Sequence, residues 1–238
     1  THSDARQAGR SDFSRTNLDR VAGLYVTRSG GVLLASAGRD ANLMAARVVN
    51  SGKDGQTAVV AGRDLTLSAV RTAEQENNVR NASNYLRQGN EQDVGSTIAT
   101  AGDARLQAGR TLSAIAASVT SEQGALTAVA QGDVNILAGA ANSNWAEGRQ
   151  HQSSSLLGSS KKTTRDSLEE TRAVASTFSG RSVAVQGQNV TVTGSNVVSD
   201  AGTVIVARDE LRLQAATETS KESHFKEIRN SGFLYNGG

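Results

Sequence analysis

The 238-residue chain contains no cysteine and no proline, and its aromatic residues are one Trp, three Tyr and four Phe. Without cysteine there is no disulfide framework and no thiolate metal site. Without proline there is no Pro-rich disordered linker. A compact core of this length normally draws much of its buried area from aromatic rings. At 3% aromatic and 37% hydrophobic, the interior must be narrow and filled by small and branched side chains. No apolar run approaches the ~18 residues of a membrane-spanning helix. No basic-then-apolar leader opens the chain, which starts Thr1-His2-Ser3-Asp4. Net charge is also scarce: 25 Lys+Arg against 23 Asp+Glu leaves +2, too weak to mark a nucleic-acid partner. These features describe a soluble piece expected to come from a longer protein.

What the chain does have is glycine and repetition. Three segments align, opening at Gly31, Gly102 and Gly180, 71 and 78 residues apart. Each has a second glycine seven residues on (Gly38, Gly109, Gly187), then a turn glycine (Gly55, Gly124, Gly202). The closing strands match as well, in Gly62-Arg63-Asp64-Leu65, Gly132-Asp133-Val134 and Arg208-Asp209-Glu210-Leu211. Stretches such as Val183-Ala184-Val185, Val190-Thr191-Val192 and Val204-Ile205-Val206 alternate with the period of a strand and favour β-branched residues. Within a module the second glycine recurs after 24 residues (Gly38 to Gly62), 23 (Gly109 to Gly132) and 21 (Gly187 to Arg208, where arginine replaces it).

Strands this short cannot bury their faces alone, whereas stacked coils of about 20–25 residues can. The expected fold is therefore all-β: a right-handed parallel β-helix, or solenoid, with polar extra-helical arms or loops. A β-propeller would carry periodic aromatic motifs, yet the sole Trp145 lies outside the repeat. A β-sandwich would use longer, hairpin-linked strands. The expected organisation is a polar N-terminal segment over 1–30 and modules over about 31–101, 102–179 and 180–238. Polar inserts fall near 72–97, 142–177 and 218–238; they lack the apolar surface of a domain and are expected to leave the helix as arms or loops. A short amphipathic helix is expected near Ser167–Ser176.

The motifs Ser154-Ser155-Leu156-Leu157-Gly158-Ser159-Ser160-Lys161-Lys162-Thr163-Thr164, Ala175-Ser176-Thr177-Phe178-Ser179-Gly180 and Val190-Thr191-Val192-Thr193-Gly194-Ser195-Asn196 occur in this order. Together they resemble the second repeat region of filamentous haemagglutinins and of contact-dependent growth inhibition exoproteins. Ser231-Gly232-Phe233-Leu234 looks like the start of a further insert of the Ser155-Leu156-Leu157-Gly158 type. The resemblance covers the chain from about Gly31. It implies a stalk segment of a large two-partner-secretion protein on the outer surface of a Gram-negative bacterium. Its implied partners are a dedicated outer-membrane transporter for the whole protein and the outer membrane or a receptor of a target cell, into which a C-terminal toxin is delivered.

The alternative is a glycan-binding or polysaccharide-degrading β-helix protein, whose site would gather carboxylates and a basic residue in one groove. Asp40, Asp64, Asp133 and Asp209 recur beside turn glycines, and stacking would bring some into a column. Turn chemistry explains them more simply, because Asp hydrogen-bonds its own backbone at bends. His2, His151 and His224 sit alone in polar segments, no glycine-rich calcium repeat occurs and no G-x-S-x-G elbow is present. The reading is therefore of a protein that is not an enzyme, with no cofactor, no metal and no nucleic-acid partner. Candidate contact residues are the apolar ones in polar inserts: Leu156, Leu157, Phe233, Leu234 and Tyr235. The bare ends of such a stack also predict end-to-end self-association of the fragment.

Overall fold

The structure, a computed structural model, describes residues 1–156 and 158–232. It is all-β, with no helix among the described residues. Among the described residues twenty strands form two sheets, one of 13 strands with only parallel pairing and one of seven with only antiparallel pairing.

An N-terminal hairpin, β1 (His2–Ala8) and β2 (Ser11–Asn17), precedes the repeat. Six units of three strand segments follow. The first unit is β3 (Gly23–Val26), β4 (Val32–Ala37) and β5 (Ala41–Met44); the second is β6 (Arg47–Asn50), β7 (Gln56–Ala61) and β8 (Leu65–Ser68). The chain then runs out through β9 (Val70–Asn81) and back through β10 (Asn84–Val94). The third unit is β11 (Thr97–Thr100), β12 (Ala104–Ala108) and β13 (Leu112–Ile115); the fourth is β14 (Ser118–Ala130), which carries two segments, and β15 (Val134–Leu137). A second excursion, β16 (Gly139–Ser155) and β17 (Gly158–Val174), leads to β18 (Thr177–Thr193) and β19 (Asn196–Gln214), each a whole unit in one strand. The last strand, β20 (Thr219–Gly232), leaves the repeat again.

Each segment pairs in parallel with the same segment of the next unit, and so the inward residues stack in columns. One column is Leu24, Val48, Ile98, Val119, Phe178 and Val197; another is Ala41, Leu65, Leu112, Val134, Val190 and Leu211. These columns make one narrow core in which Phe178 is, among the described residues, the only aromatic ring that is fully buried. That accounts for the scarcity of rings: a space one strand segment wide on each side takes Val, Leu, Ile and Ala at close packing. Inward residues of the end units stay open to solvent, among them Leu24 at one end and Leu211 and Leu213 at the other.

Glycine serves the corners by lacking a side chain. A Cβ on Gly62 would collide with the carbonyl oxygen of Gly38, and one on Gly109 with that of Gly62. The positive-φ glycines are elsewhere, at Gly9, Gly30 and Gly194. Hence Arg208 in the corresponding place meets no conformational barrier there. The opening and turn glycines of the first two modules are one position seen twice, because Gly31, Gly55, Gly102 and Gly124 follow one another along the stack. Gly180 departs from that column: it pairs with Ser121 and Ser199 beside a register shift.

The third corner alternates. After the first, third and fifth units it is a tight turn on a left-handed residue, namely Ala45 (φ 46°), Ala116 (φ 51°) and Gly194 (φ 56°). After the second, fourth and sixth units the chain instead runs out into an arm. Buried serines close the corner where an arm returns. Ser96 Oγ accepts from Ala46 N (3.1 Å) and donates to Leu43 O (2.8 Å), and Ser176 Oγ accepts from Ala117 N (2.9 Å) and donates to Leu137 O (2.7 Å).

The described residues of the polar inserts form strands for the most part, and these zip together with the N-terminal hairpin in the order β1-β2-β9-β10-β16-β17-β20. Each returning strand pairs with the next outgoing one. The helix expected near Ser167–Ser176 is not formed; the stretch to Val174 belongs to β17, with Leu168 opposite Trp145. Over 167–171 this stretch has strand partners on both flanks, β16 and β20, which engage its backbone groups as a short isolated helix in a polar insert could not hold them.

Candidate functional site

Two surfaces combine side chains from separate parts of the sequence. The first is the corner that carries the recurrent acidic residues. Arg63 Nε donates to Asp40 Oδ1 at 2.7 Å and Arg110 Nε to Asp64 Oδ1 at 2.8 Å, each arginine reaching back one unit and closing a second bond to the other carboxylate oxygen. Each carboxylate also accepts a backbone N–H, from Asp64 and Thr111 respectively. The arginine hydrogen bonds hold the Asp40 and Asp64 carboxyls below their ordinary range. Further along, Asn189 Nδ2 donates to Asp133 (2.8 Å) and Gln188 Nε2 to Asp209 (2.8 Å). Stacking therefore places Asp40, Asp64 and Asp133 in one column with Thr111 and Asn189, while Asp209 falls one place outside it, and every one of these carboxylates is engaged with a neighbouring donor.

The second surface is the arm sheet. Its central hairpin has 17 residues in each strand, about 55 Å of extended chain at ~3.4 Å per residue. No strand of this sheet packs extensively on the parallel sheet, so both of its faces are accessible. Side chains alternate between them. One face carries Phe13, Leu86, Trp145, Leu168 and Ile228; the other carries Tyr85, Arg87, Arg165 and Phe225. At its base, hollows are lined by Asn17, Glu74, Glu91, Asn142, Glu170 and Arg172.

Four arginines of this sheet share one arrangement. Arg6, Arg149, Arg172 and Arg229 each pair with the carboxylate two residues earlier on the same strand: Asp4, Glu147, Glu170 and Glu227. Arg87 does not, because Tyr85 occupies that place, and its guanidinium carbon sits 4.8 Å from the tyrosine ring centroid. Arg165 lies 5.7 Å from the ring of Phe225, its cross-strand neighbour. The ring of Tyr85 covers Gly148 on the adjacent strand, where a Cβ would strike it. At the base Arg71 bonds Asp93 (2.9 Å), which lowers the Asp93 carboxyl pKa. Near mid-arm His224 stands between Asp166 and Glu222, both at 2.9 Å, and Asp166 foremost raises its pKa above the ordinary 6.5.

Of the candidate contact residues, Leu156 stands fully exposed at the tip of the long hairpin. Leu157, Phe233, Leu234 and Tyr235 lie outside the described residues. Among the described residues no group of three or more His, Cys, Asp or Glu is arranged to hold a metal ion. The aromatic–arginine pairs escaped the sequence reading, because a face can be assigned only once an insert is known to be a strand. The Tyr85-x-Arg87 spacing was the available signal.

No family model, no curated protein and no solved structure matches this chain.

Proposed function

We propose that the chain is a segment of a right-handed parallel β-helical stalk of a large bacterial surface exoprotein, secreted through an outer-membrane transporter. The stalk spaces a distal activity from the cell, and the arms present an extended surface to a target cell's outer membrane or receptor. In a contact-dependent growth inhibition system this contact would precede toxin delivery. The role is structural and adhesive, without catalysis.

One observation carries the reading. The third corner alternates strictly between a tight turn and an arm, and each returning strand pairs with the next outgoing strand. Such a device extends by simple addition, two units and one arm at a time, which is the logic of a stalk. Its open ends also favour end-to-end association of an isolated segment.

The test has two parts. A longer piece with one further two-unit module should lengthen the particle by about 10 Å in electron micrographs, at ~4.8 Å per unit. Deleting the segment from the full exoprotein should leave surface display intact and remove killing of target cells. Unchanged killing, or a particle that widens instead of lengthening, would refute the assignment.

A further inference from the structure

We propose that β20 is a self-recognition edge, along which two copies of this chain pair antiparallel about a two-fold axis at His224. The inference goes beyond the stalk reading and does not depend on it.

β20 closes one side of the arm sheet. It pairs with β17 in unbroken register from Thr219 to Gly232, and among the described residues nothing pairs with its other side. The strand at the opposite edge, β1, has seven residues against the 14 of β20. A long edge without a bulge or a proline presents a row of N–H and C=O groups that another strand can take. Charged side chains normally keep such an edge from pairing at random. On β20 their order selects the partner.

That order is Lys221-Glu222-Ser223-His224-Phe225-Lys226-Glu227. A two-fold axis perpendicular to the sheet leaves every side chain on its own face, and directly opposed residues share a face. A strand meeting its own copy can therefore oppose only residues an even number of positions apart. With the axis at His224, Lys221 stands opposite Glu227 of the second copy and Glu222 opposite its Lys226. Each lysine of the strand then meets a glutamate. An axis at Ser223 would set Lys221 against Phe225, and one at Phe225 would set Lys221 against Arg229 and His224 against Lys226. The His224 register also makes Phe225 and its copy diagonal neighbours, within reach of aromatic side chains. Phe225 is 46% exposed in the single chain.

Within one chain Glu222 bonds His224 at 2.9 Å and Glu227 bonds Arg229 at 2.7 Å. None of the ion pairs on β20 among the described residues involves Lys221 or Lys226. Both lysines thus remain for the second copy, whereas an unrelated strand would offer hydrogen bonds without matched charges. One strand pair is a small interface, so association is reversible and follows concentration.

Sedimentation equilibrium of the chain from about 1 to about 500 μM should show monomer passing to dimer and nothing larger. Glu222→Lys/Glu227→Lys and Lys221→Glu/Lys226→Glu each oppose like charges, and each should weaken dimerisation at least about tenfold. An equimolar mixture of the two variants should restore it as a heterodimer. The chain has no cysteine, so one introduced thiol reports the axis. Opposed residues of an antiparallel pair lie ~4.5–5.5 Å apart at Cα, within disulfide reach. Mild oxidation of His224→Cys should give a covalent dimer, and Ser231→Cys, far along the strand from the axis, should not. Circular dichroism melts show whether each variant is folded; should a charge variant fail to fold, the two cysteine variants decide alone. A chain that stays monomeric throughout, charge variants that associate like the parent, or equal cross-linking of both cysteine variants would each overturn the proposal. Growth past the dimer into chains would overturn it too, and would favour stacking of the open ends while leaving the stalk reading in place.

Discussion

Arg63 bonds Asp40 across one step of the repeat, and the same Asp40 carboxylate accepts the backbone N–H of Asp64, whose own side chain takes Arg110 from the following unit. Side-chain and backbone bonds thus lock three successive units at one corner. The backbone N–H groups that Asp40 and Asp64 accept belong to the following unit and not to their own bends, so these aspartates serve contact between units where local turn bonding was expected.

A pH dependence follows. The Asp40 and Asp64 carboxyls are held below their ordinary value of 3.8, first by the arginine hydrogen bonds. A lowered folded-state pKa contributes stability that is present above 3.8 and is lost as pH falls through the folded-state values. Asp40→Asn/Asp64→Asn should therefore lower the melting temperature at about pH 7, with the difference shrinking as pH falls below 3.8. Melts of both proteins across that range check it. A gap that persists undiminished in acid would mean the carboxylate charge is not what matters.

Thr57 lies in the core column between Leu33 and Ala104, and its hydroxyl is buried without a hydrogen-bond partner. Valine has the same shape without the hydroxyl. Thr57→Val should stabilise the fold by about 1 kcal/mol, read as a higher denaturant midpoint with unchanged slope. Thr100 and Ser121, also buried and polar, set the contrast: their hydroxyls donate to Gly55 O (3.3 Å) and Gly102 O (2.5 Å).

The repeat was legible in the sequence for a physical reason. Inward residues such as Leu65, Leu112 and Val134 fill a core too narrow for rings, and that constraint leaves period-two aliphatic runs and close-packed glycines. The arms were not. β16 pairs with β10 through residues 49 to 63 positions away, and both faces of its sheet meet water. Its residues around Asn142-Ser143-Asn144-Trp145-Ala146 thus carry no apolar alternation to read. The same blindness turned Ser167–Ser176 into an expected helix and hid the Tyr85–Arg87 pair. The equivalence of Gly109 with Gly132 also slips by one place, visible only through the pairing of Ala108 with Ala130.

Ser176 tests how the arm is tied to the repeat. Its buried hydroxyl bonds both Ala117 N and Leu137 O, where the long hairpin rejoins the stack. Ser176→Ala leaves a buried N–H and a buried carbonyl without that partner, at a cost of about 1–3 kcal/mol. Hydrogen exchange should quicken first at Ala117. A variant equal to the parent in stability and exchange would show that other groups carry the corner.

Gly109 and Gly202 separate two reasons for glycine. Neither has positive φ, so alanine is conformationally allowed at both. At Gly109 an added methyl would drive into the Gly62 carbonyl oxygen, which belongs to a backbone fixed by stacking above and below. At Gly202 it would meet nothing within 4 Å. Gly109→Ala should therefore destabilise by about 1–3 kcal/mol, whereas Gly202→Ala should be neutral or stabilising by up to about 1 kcal/mol through reduced freedom of the unfolded chain. Denaturant melts of the two variants decide the matter. Equal effects would mean that the stacked carbonyls yield, and that close approach of units at this corner is not what selects glycine.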